Sequence, residues 1–202
     1  MMETRFRNRY RIPSARLPGW DYTAAGVYFI TICTRERIPY LGEIQNDEIH
    51  LSDLGGVARQ FWVEIPNHFP NVILDEFVIM PNHVHGIIVI NSPGDVVDVE
   101  TQHAASLHQQ QRQQHQQNQQ PTASLPRSTP KPGSISAIIR SYKSAVTRWA
   151  GQNGHANFAW QARFYDHIVR NQKSLENIQR YILRNPEKWD TDDYNPKKLA
   201  MK

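Results

Sequence analysis

MPNHVHGIIVI, residues 80–90, sets two imidazoles one residue apart at the mouth of an apolar, β-branched run. Side chains alternate across a strand, so His83 and His85 project from one face while Val84 points to the other. The preceding NVILDEFVIM (71–80) reads as a second strand, and Pro81-Asn82 between the two is a turn signal. So short a connection predicts an antiparallel hairpin.

Working outward, VYFITICT (27–34) is bounded by Gly26 and reads as a further strand. Ser52 or Asp53 can cap a helix through VARQFWVEI, where Val57, Phe61, Trp62 and Ile65 recur at helical spacing until Pro66 ends it. Residues 91–133 change character. The tract HQQQRQQHQQNQQ and the following PTASLPRSTPKPG hold too little apolar surface to offset ordering, and read as a disordered insertion that includes His103, His108 and His115. From Ser134, ISAIIRSYKSAVTRWA puts Ile135, Ile138, Ile139, Tyr142, Val146 and Trp149 on one helical face, with Arg140, Lys143 and Arg148 opposite. A strand follows from about Phe164 to Val169, and Ser174 caps a helix through LENIQRYILRN until Pro186.

The order β, α, β, β, α, β, α predicts an α+β fold: a ferredoxin-like βαββαβ antiparallel sheet with an added C-terminal helix. In domain terms, 1–22 form a basic N-terminal arm, and 23–202 form one domain interrupted at about 91–133.

The 202 residues suit a single core without disulfide staples. The only cysteine, Cys33, lies in an apolar run, which fits a buried small hydrophobe in a reducing compartment. No apolar run approaches the ~18 residues that cross a bilayer, and MMETRFRNRYR has no apolar h-region, so a soluble, cytoplasmic protein is expected.

Net charge is only +4, but its distribution is segregated. Residues 1–20 hold five arginines against Glu3, 43–100 hold ten acids against Arg59, and 127–202 hold fourteen bases against six acids. Two basic ends around an acidic middle favour a polyanion partner, with Phe6, Tyr10 and Trp20 offering stacking surfaces. A merely solvated basic tail explains the arm, taken alone, equally well.

The histidine pair itself admits two readings. It is either two core imidazoles with buried partners or half a metal site, and no cysteine is placed to complete a zinc tetrahedron. Four blocks taken together go further. MPNHVHGIIVI, GSISAIIRSYKSAVTRW, WQARFYDHIVRN and YILRNPEKW, in that order, resemble the single-tyrosine HUH transposases, and among them the REP-associated tyrosine transposases.

The resemblance implies that His83 and His85 bind a divalent metal, Mg²⁺ or Mn²⁺, that Tyr181 is the nucleophile toward single-stranded DNA, and that Asn185 is the third metal ligand. Independently, Tyr181 and Asn185 are i and i+4, so on a helix they share a face. Tyr142, on the apolar stripe, and Tyr165, in RFYDH, are rival tyrosines that fit packing better. Arg184 either touches the phosphate or pairs with Glu187 or Glu176; Asp166 and His167 serve either DNA or the sheet. Arg5, Arg7, Arg9 and Arg11 of the arm, with Arg140 and Lys143 of the helix, would hold a DNA hairpin by its phosphates.

The activity implied is a metal-dependent nicking and joining of single-stranded or hairpin-bearing DNA through a 5′-phosphotyrosine, by a monomer or homodimer. A non-cutting hairpin-binding regulator and a metal hydrolase that uses water remain the alternatives.

Overall fold

The computed structural model describes residues 5–6, 9–10, 20–92 and 130–196. Its main sheet contains β3 (Gly26–Cys33), β6 (Val72–Met80), β7 (His83–Ile90) and β8 (Tyr165–Val169), in the spatial order β6-β7-β3-β8 and antiparallel throughout. Helices α1 (Asp53–Val63) and α3 (Ile135–Gln152) are the two crossovers, so the expected ferredoxin-like βαββαβ is the fold observed. The added helix is α4 (Gln172–Leu183), followed by a 3₁₀ turn at Pro186–Thr191. Among the described residues no helix is long and apolar enough to cross a membrane.

Strand β7 lies between β6 and β3 and all eight of its residues are buried. A strand covered on both faces has no solvent side to alternate with, which is why HVHGIIVI reads as an almost unbroken apolar run. On one face, Tyr28, Ile30, Ile32, Val84, Ile88 and Ile90 pack with Trp62 of α1 and Ile138, Ile139, Tyr142 and Val146 of α3. On the other, Val27, Ile87, Val89 and Val169 pack with Leu175 and Ile182 of α4. Gly86 permits the close approach of α1, because a Cβ there would lie 2.3 Å from Cζ2 of Trp62.

Several boundaries differ from the sequence reading. Ser52 caps α1 as expected, its Oγ accepting from Gly55 N at 3.1 Å. That helix ends at Val63, and Pro66 lies instead in the first turn of α2 (Ile65–His68), where its missing N–H leaves no bond unmade. Asn171, not Ser174, caps α4, because its Oδ1 accepts the Ser174 N–H at 2.9 Å. Helix α4 stops at Leu183: Pro186 has no N–H to continue the ladder, and the Asn185 N–H turns to the Ile182 carbonyl at 3.2 Å. Asn185 is therefore outside the helix that was expected to hold it.

A hairpin not foreseen, β4 (Gly42–Gln45) with β5 (Glu48–Leu51), turns through Asn46 and Asp47, both at positive φ. Trp20 is half-buried against the core, and its indole N–H donates to the Tyr28 hydroxyl at 3.2 Å. Of the N-terminal arm, β1 (Arg5–Phe6) pairs with β2 (Arg9–Tyr10), while Arg7 and Arg11 lie outside the described residues. So do 93–129, nearly all of the expected insertion.

Candidate functional site

His83 and His85 both face the α4 side of the sheet, 0 % and 1 % exposed, with ring centroids 4.4 Å apart. Each is held by a partner that sequence reasoning missed. The Asn82 Nδ2 donates to the carbonyls of Arg37 and Tyr194, both at 2.8 Å, which turns its Oδ1 toward Nδ1 of His83, also at 2.8 Å. An amide oxygen only accepts, so the proton of neutral His83 is on Nδ1 and its Nε2 carries a lone pair.

His85 Nδ1 lies 2.8 Å from Oγ1 of Thr31, its cross-strand partner, and its Nε2 lies 3.1 Å from the Tyr181 hydroxyl. The tautomer that matches His83 has Thr31 Oγ1 accepting and the Tyr181 O–H donating. Burial keeps both rings neutral: it pushes His85 down to about 3, and burial together with the neighbouring His85 holds His83 well below the usual imidazole range.

Tyr181 projects from the last turns of α4 and is 39 % exposed. Phe29 stacks on His85 at 5.4 Å and meets Tyr181 edge-on at 6.2 Å, so one ring fixes both partners of the hydroxyl–imidazole contact. Two residues before Tyr181, Gln179 donates to both carboxylate oxygens of Asp75 at 3.0 Å. Asp75 lies in the irregularity of β6 between Leu74 and Phe77, so this contact ties α4 to the sheet. Burial pushes the Tyr181 phenol up to about 12, with the charge of Asp192 acting in the same direction.

Asn185, though past the helix end, is buried beside both rings: its amide raises the His83 value and lowers that of Tyr181. The expected convergence of His83, His85, Tyr181 and Asn185 is thus present, by a different backbone route. Over it, Tyr194 lies on His83 at 4.6 Å, and the Arg37 guanidinium covers the Tyr194 ring at 4.7 Å.

Two buried atoms here, His83 Nε2 and Asn185 Oδ1, have no hydrogen-bond partner among the described residues. Leaving such atoms unpaired is costly, and both are Lewis bases, so they fit a divalent cation as ligands. The described residues hold no group of three or more His, Cys, Asp or Glu side chains suited to a metal ion. His83 Nε2 and Asn185 Oδ1 are therefore the atoms of this site left without a partner, while His85 Nε2 accepts from the Tyr181 hydroxyl.

The remaining candidates are elsewhere. Tyr142 is buried on the opposite face of the sheet, its hydroxyl donating to the Ala58 carbonyl at 3.1 Å, as its place on the apolar stripe suggested. Tyr165 is 46 % exposed on β8 and meets Phe29 edge-on at 6.5 Å, at the rim of the site. Cys33 is buried, and burial pushes its thiol up to about 11. Arg184 is the exposed C-cap of α4, whereas Arg140 and Lys143 lie on α3, across the sheet from the histidines. Asp166 is buried and His167 exposed on β8.

Thr31 and Phe29 had a readable signal, since they alternate on the same face of β3 as Cys33. Asn82 and Tyr194 had none, because their roles depend on where two loops meet.

No protein-family model matches the chain. A protein of Haemophilus influenzae (strain Rd), described only as uncharacterized, is 38 % identical over 179 residues, covering 89 % of this chain and 90 % of its own. Among solved structures, a REP-associated tyrosine transposase bound to a REP hairpin is similar, with a TM-score of 0.50 and 21 % identity over 81 % of this chain and 68 % of that one. A crystal structure from Deinococcus radiodurans reaches a TM-score of 0.41 at 13 % identity, covering 83 % of this chain and 95 % of its own.

Proposed function

We propose, from the premise that this chain belongs to one family with the Haemophilus influenzae protein and has the fold of a REP-associated tyrosine transposase, that it is a metal-dependent single-stranded DNA endonuclease and strand transferase. Its substrate is hairpin-bearing DNA, the class of ligand on which the transposase was solved. The observation that carries this reading is the Tyr181 hydroxyl at 3.1 Å from His85 Nε2, beside two buried donor atoms without partners.

His83 Nε2, His85 Nε2 and Asn185 Oδ1 would hold Mg²⁺ or Mn²⁺, which would supply positive charge to the nonbridging oxygens of the scissile phosphate. The other steps belong to the chain itself. The Tyr181 oxygen attacks phosphorus, the Oη–P bond forms as the P–O3′ bond breaks, and the phenolic proton passes to water, which returns one to the departing 3′ oxygen to give a 3′-OH. A phenol near 12 is ionised at a level on the order of 10⁻⁵ at pH 7, so its proton leaves as the new bond forms. With its Nε2 given to the metal, His85 would have no lone pair to take that proton. In the metal-loaded site His85 Nε2 would be a ligand and the Tyr181 hydroxyl would give up its contact with it, while Thr31 and Phe29 fix the ring. The bond energy is retained in the phosphotyrosine, and a second DNA 3′-OH reverses the step on another strand.

Arg5, Arg7, Arg9 and Arg11 with Arg140, Lys143 and Arg184 supply cations for DNA phosphates in this reading. The arm (1–22) and the Gln-rich insertion at about 91–133 are additions to one catalytic domain of a soluble, cytoplasmic enzyme.

Labelled hairpin DNA incubated with the protein and Mn²⁺ tests it. A covalent protein–DNA adduct that is lost in Tyr181→Phe is expected. Cleavage that survives Tyr181→Phe means a water nucleophile, and hairpin binding without any adduct means a non-cutting regulator; either result overturns the proposal.

A further inference from the structure

Among the described residues α4 has two side-chain ties to the sheet: the Tyr181 hydroxyl to His85 Nε2 at 3.1 Å, and Gln179 Nε2 to both carboxylate oxygens of Asp75 at 3.0 Å. Once His85 Nε2 is a ligand, the first tie is gone. The edge-on contact of Tyr181 with Phe29 remains, but an aromatic pair accepts centroid separations of roughly 4.5–7 Å and so does not fix where the hydroxyl sits. The polar tie that is left is the one between Gln179 and Asp75.

Gln179 and Tyr181 flank the apolar stripe of the helix. At 3.6 residues per turn they are about 160° apart around α4, and Leu175, Ile178 and Ile182, which pack with Val27, Ile87 and Val89, lie in the arc between them. Apolar packing is non-directional, so by itself it leaves rotation about the helix axis soft. The Tyr181 hydroxyl extends several ångströms beyond a Cα cylinder of about 2.3 Å radius, and a rotation of about 10° displaces it by about 1 Å. An error of about 1 Å can cost about 100-fold in rate. The acceptor is itself placed by the bulge: Asp75 and Phe77, two apart, would share a face in a regular strand, yet Asp75 meets Gln179 of α4 while Phe77 stacks on Trp62 in the opposite layer.

We propose that Gln179 and Asp75 are positioning residues for Tyr181: their hydrogen bond fixes the rotation of α4 and so keeps the phenolic oxygen at its attack distance after the His85 contact is given up. Both act through the helix, without touching DNA or the cation. The consequence for the reaction rests on the endonuclease reading; the placement of the phenol does not.

Three variants of the full chain test this. Gln179→Met keeps the side-chain length without a donor, Gln179→Glu sets two carboxylates against each other, and Asp75→Asn combined with Gln179→Glu exchanges donor and acceptor and so restores a bond. Adduct formation at saturating hairpin DNA and Mn²⁺ is about 10–100-fold slower in Gln179→Met and in Gln179→Glu, with hairpin and Mn²⁺ affinities unchanged. The exchanged pair regains most of the rate. A second readout needs no DNA: the fluorine relaxation that bound Mn²⁺ imposes on 3-fluorotyrosine at position 181, a steep function of distance, assigned by its loss in Tyr181→Phe. It departs from the parent value in both single variants and returns to it in the exchanged pair.

Adduct formation at the parent rate in Gln179→Met overturns the proposal, as does an exchanged pair no faster than Gln179→Glu. Rate and hairpin affinity falling together also overturn it, because that is damage to the whole domain and not to one position. Should Gln179→Met not fold, Gln179→Glu against the exchanged pair decides. A working adduct with an unmoved fluorine signal would sink the positioning role and spare the endonuclease reading. A fluorine signal that moves as expected in a chain whose parent forms no adduct would do the reverse.

Discussion

The two faces of the central sheet use the same strand for different ends. Toward α1 and α3, β7 presents Val84, Ile88 and Ile90 to a continuous apolar layer that includes Trp62 and Tyr142. Toward α4 it presents Ile87 and Val89 under Leu175 and Ile182, then His85 and His83 beyond them. The first face is mainly apolar packing, although Trp62 Nε1 and Trp160 Nε1 are buried in it without a partner among the described residues. On the second, the polar rings are buried by way of fixed partners, Asn82, Thr31 and Phe29, with two donor atoms left over. Period-two alternation lets one strand carry packing on one side and, in the proposed function, chemistry on the other, and mutations should separate the two.

The largest effect on the packed face should come from Trp62→Ala. Trp62 is fully buried, stacks on Phe77 at 6.0 Å and meets Tyr142 edge-on at 5.3 Å. Its truncation should cost about 3–5 kcal/mol by chemical denaturation. In the fraction that remains folded, the histidine site should be intact. Loss of divalent-ion binding in the folded fraction would show that the faces are not independent.

On the other face, Asn82→Ala removes the acceptor that places the His83 proton on Nδ1. Mn²⁺ affinity, read by titration calorimetry, should fall about 10–100-fold. An unchanged affinity would mean that Asn82 does not set the tautomer.

The smallest expected change is Tyr142→Phe, which removes the hydroxyl bonded to the Ala58 carbonyl. It should cost about 1 kcal/mol and leave adduct formation at the parent level. A loss of adduct would return Tyr142 to consideration as the nucleophile.

What the sequence made legible follows the same division. The β-branched runs, the helical stripe from Ile135 and the HVH spacing report which face a side chain takes, and periodicity alone places them. Chain ends and loops do not obey a period. Asn185 was expected within a helix and lies past its end, because Pro186 stops the ladder; it still reaches His83 and Tyr181 since the Ile182 carbonyl holds the turn tight. The β4–β5 hairpin had a signal in Ile44, Ile49 and Leu51 about the Asn46-Asp47 turn, but its strands are only four residues long. Tyr194 and Asn82 become site residues only because two loops distant in sequence meet, through the Asn82 amide on the Tyr194 carbonyl.

Mapping the covalent adduct is the most direct trial of the site. Hairpin DNA is trapped on the protein with Mn²⁺, the complex is digested with nuclease and protease, and the residual nucleotide is located by mass spectrometry. Its phosphate should be on Tyr181 and on no other tyrosine. A modified Tyr165 or Tyr142, or cleaved DNA with an unmodified protein, would contradict the account.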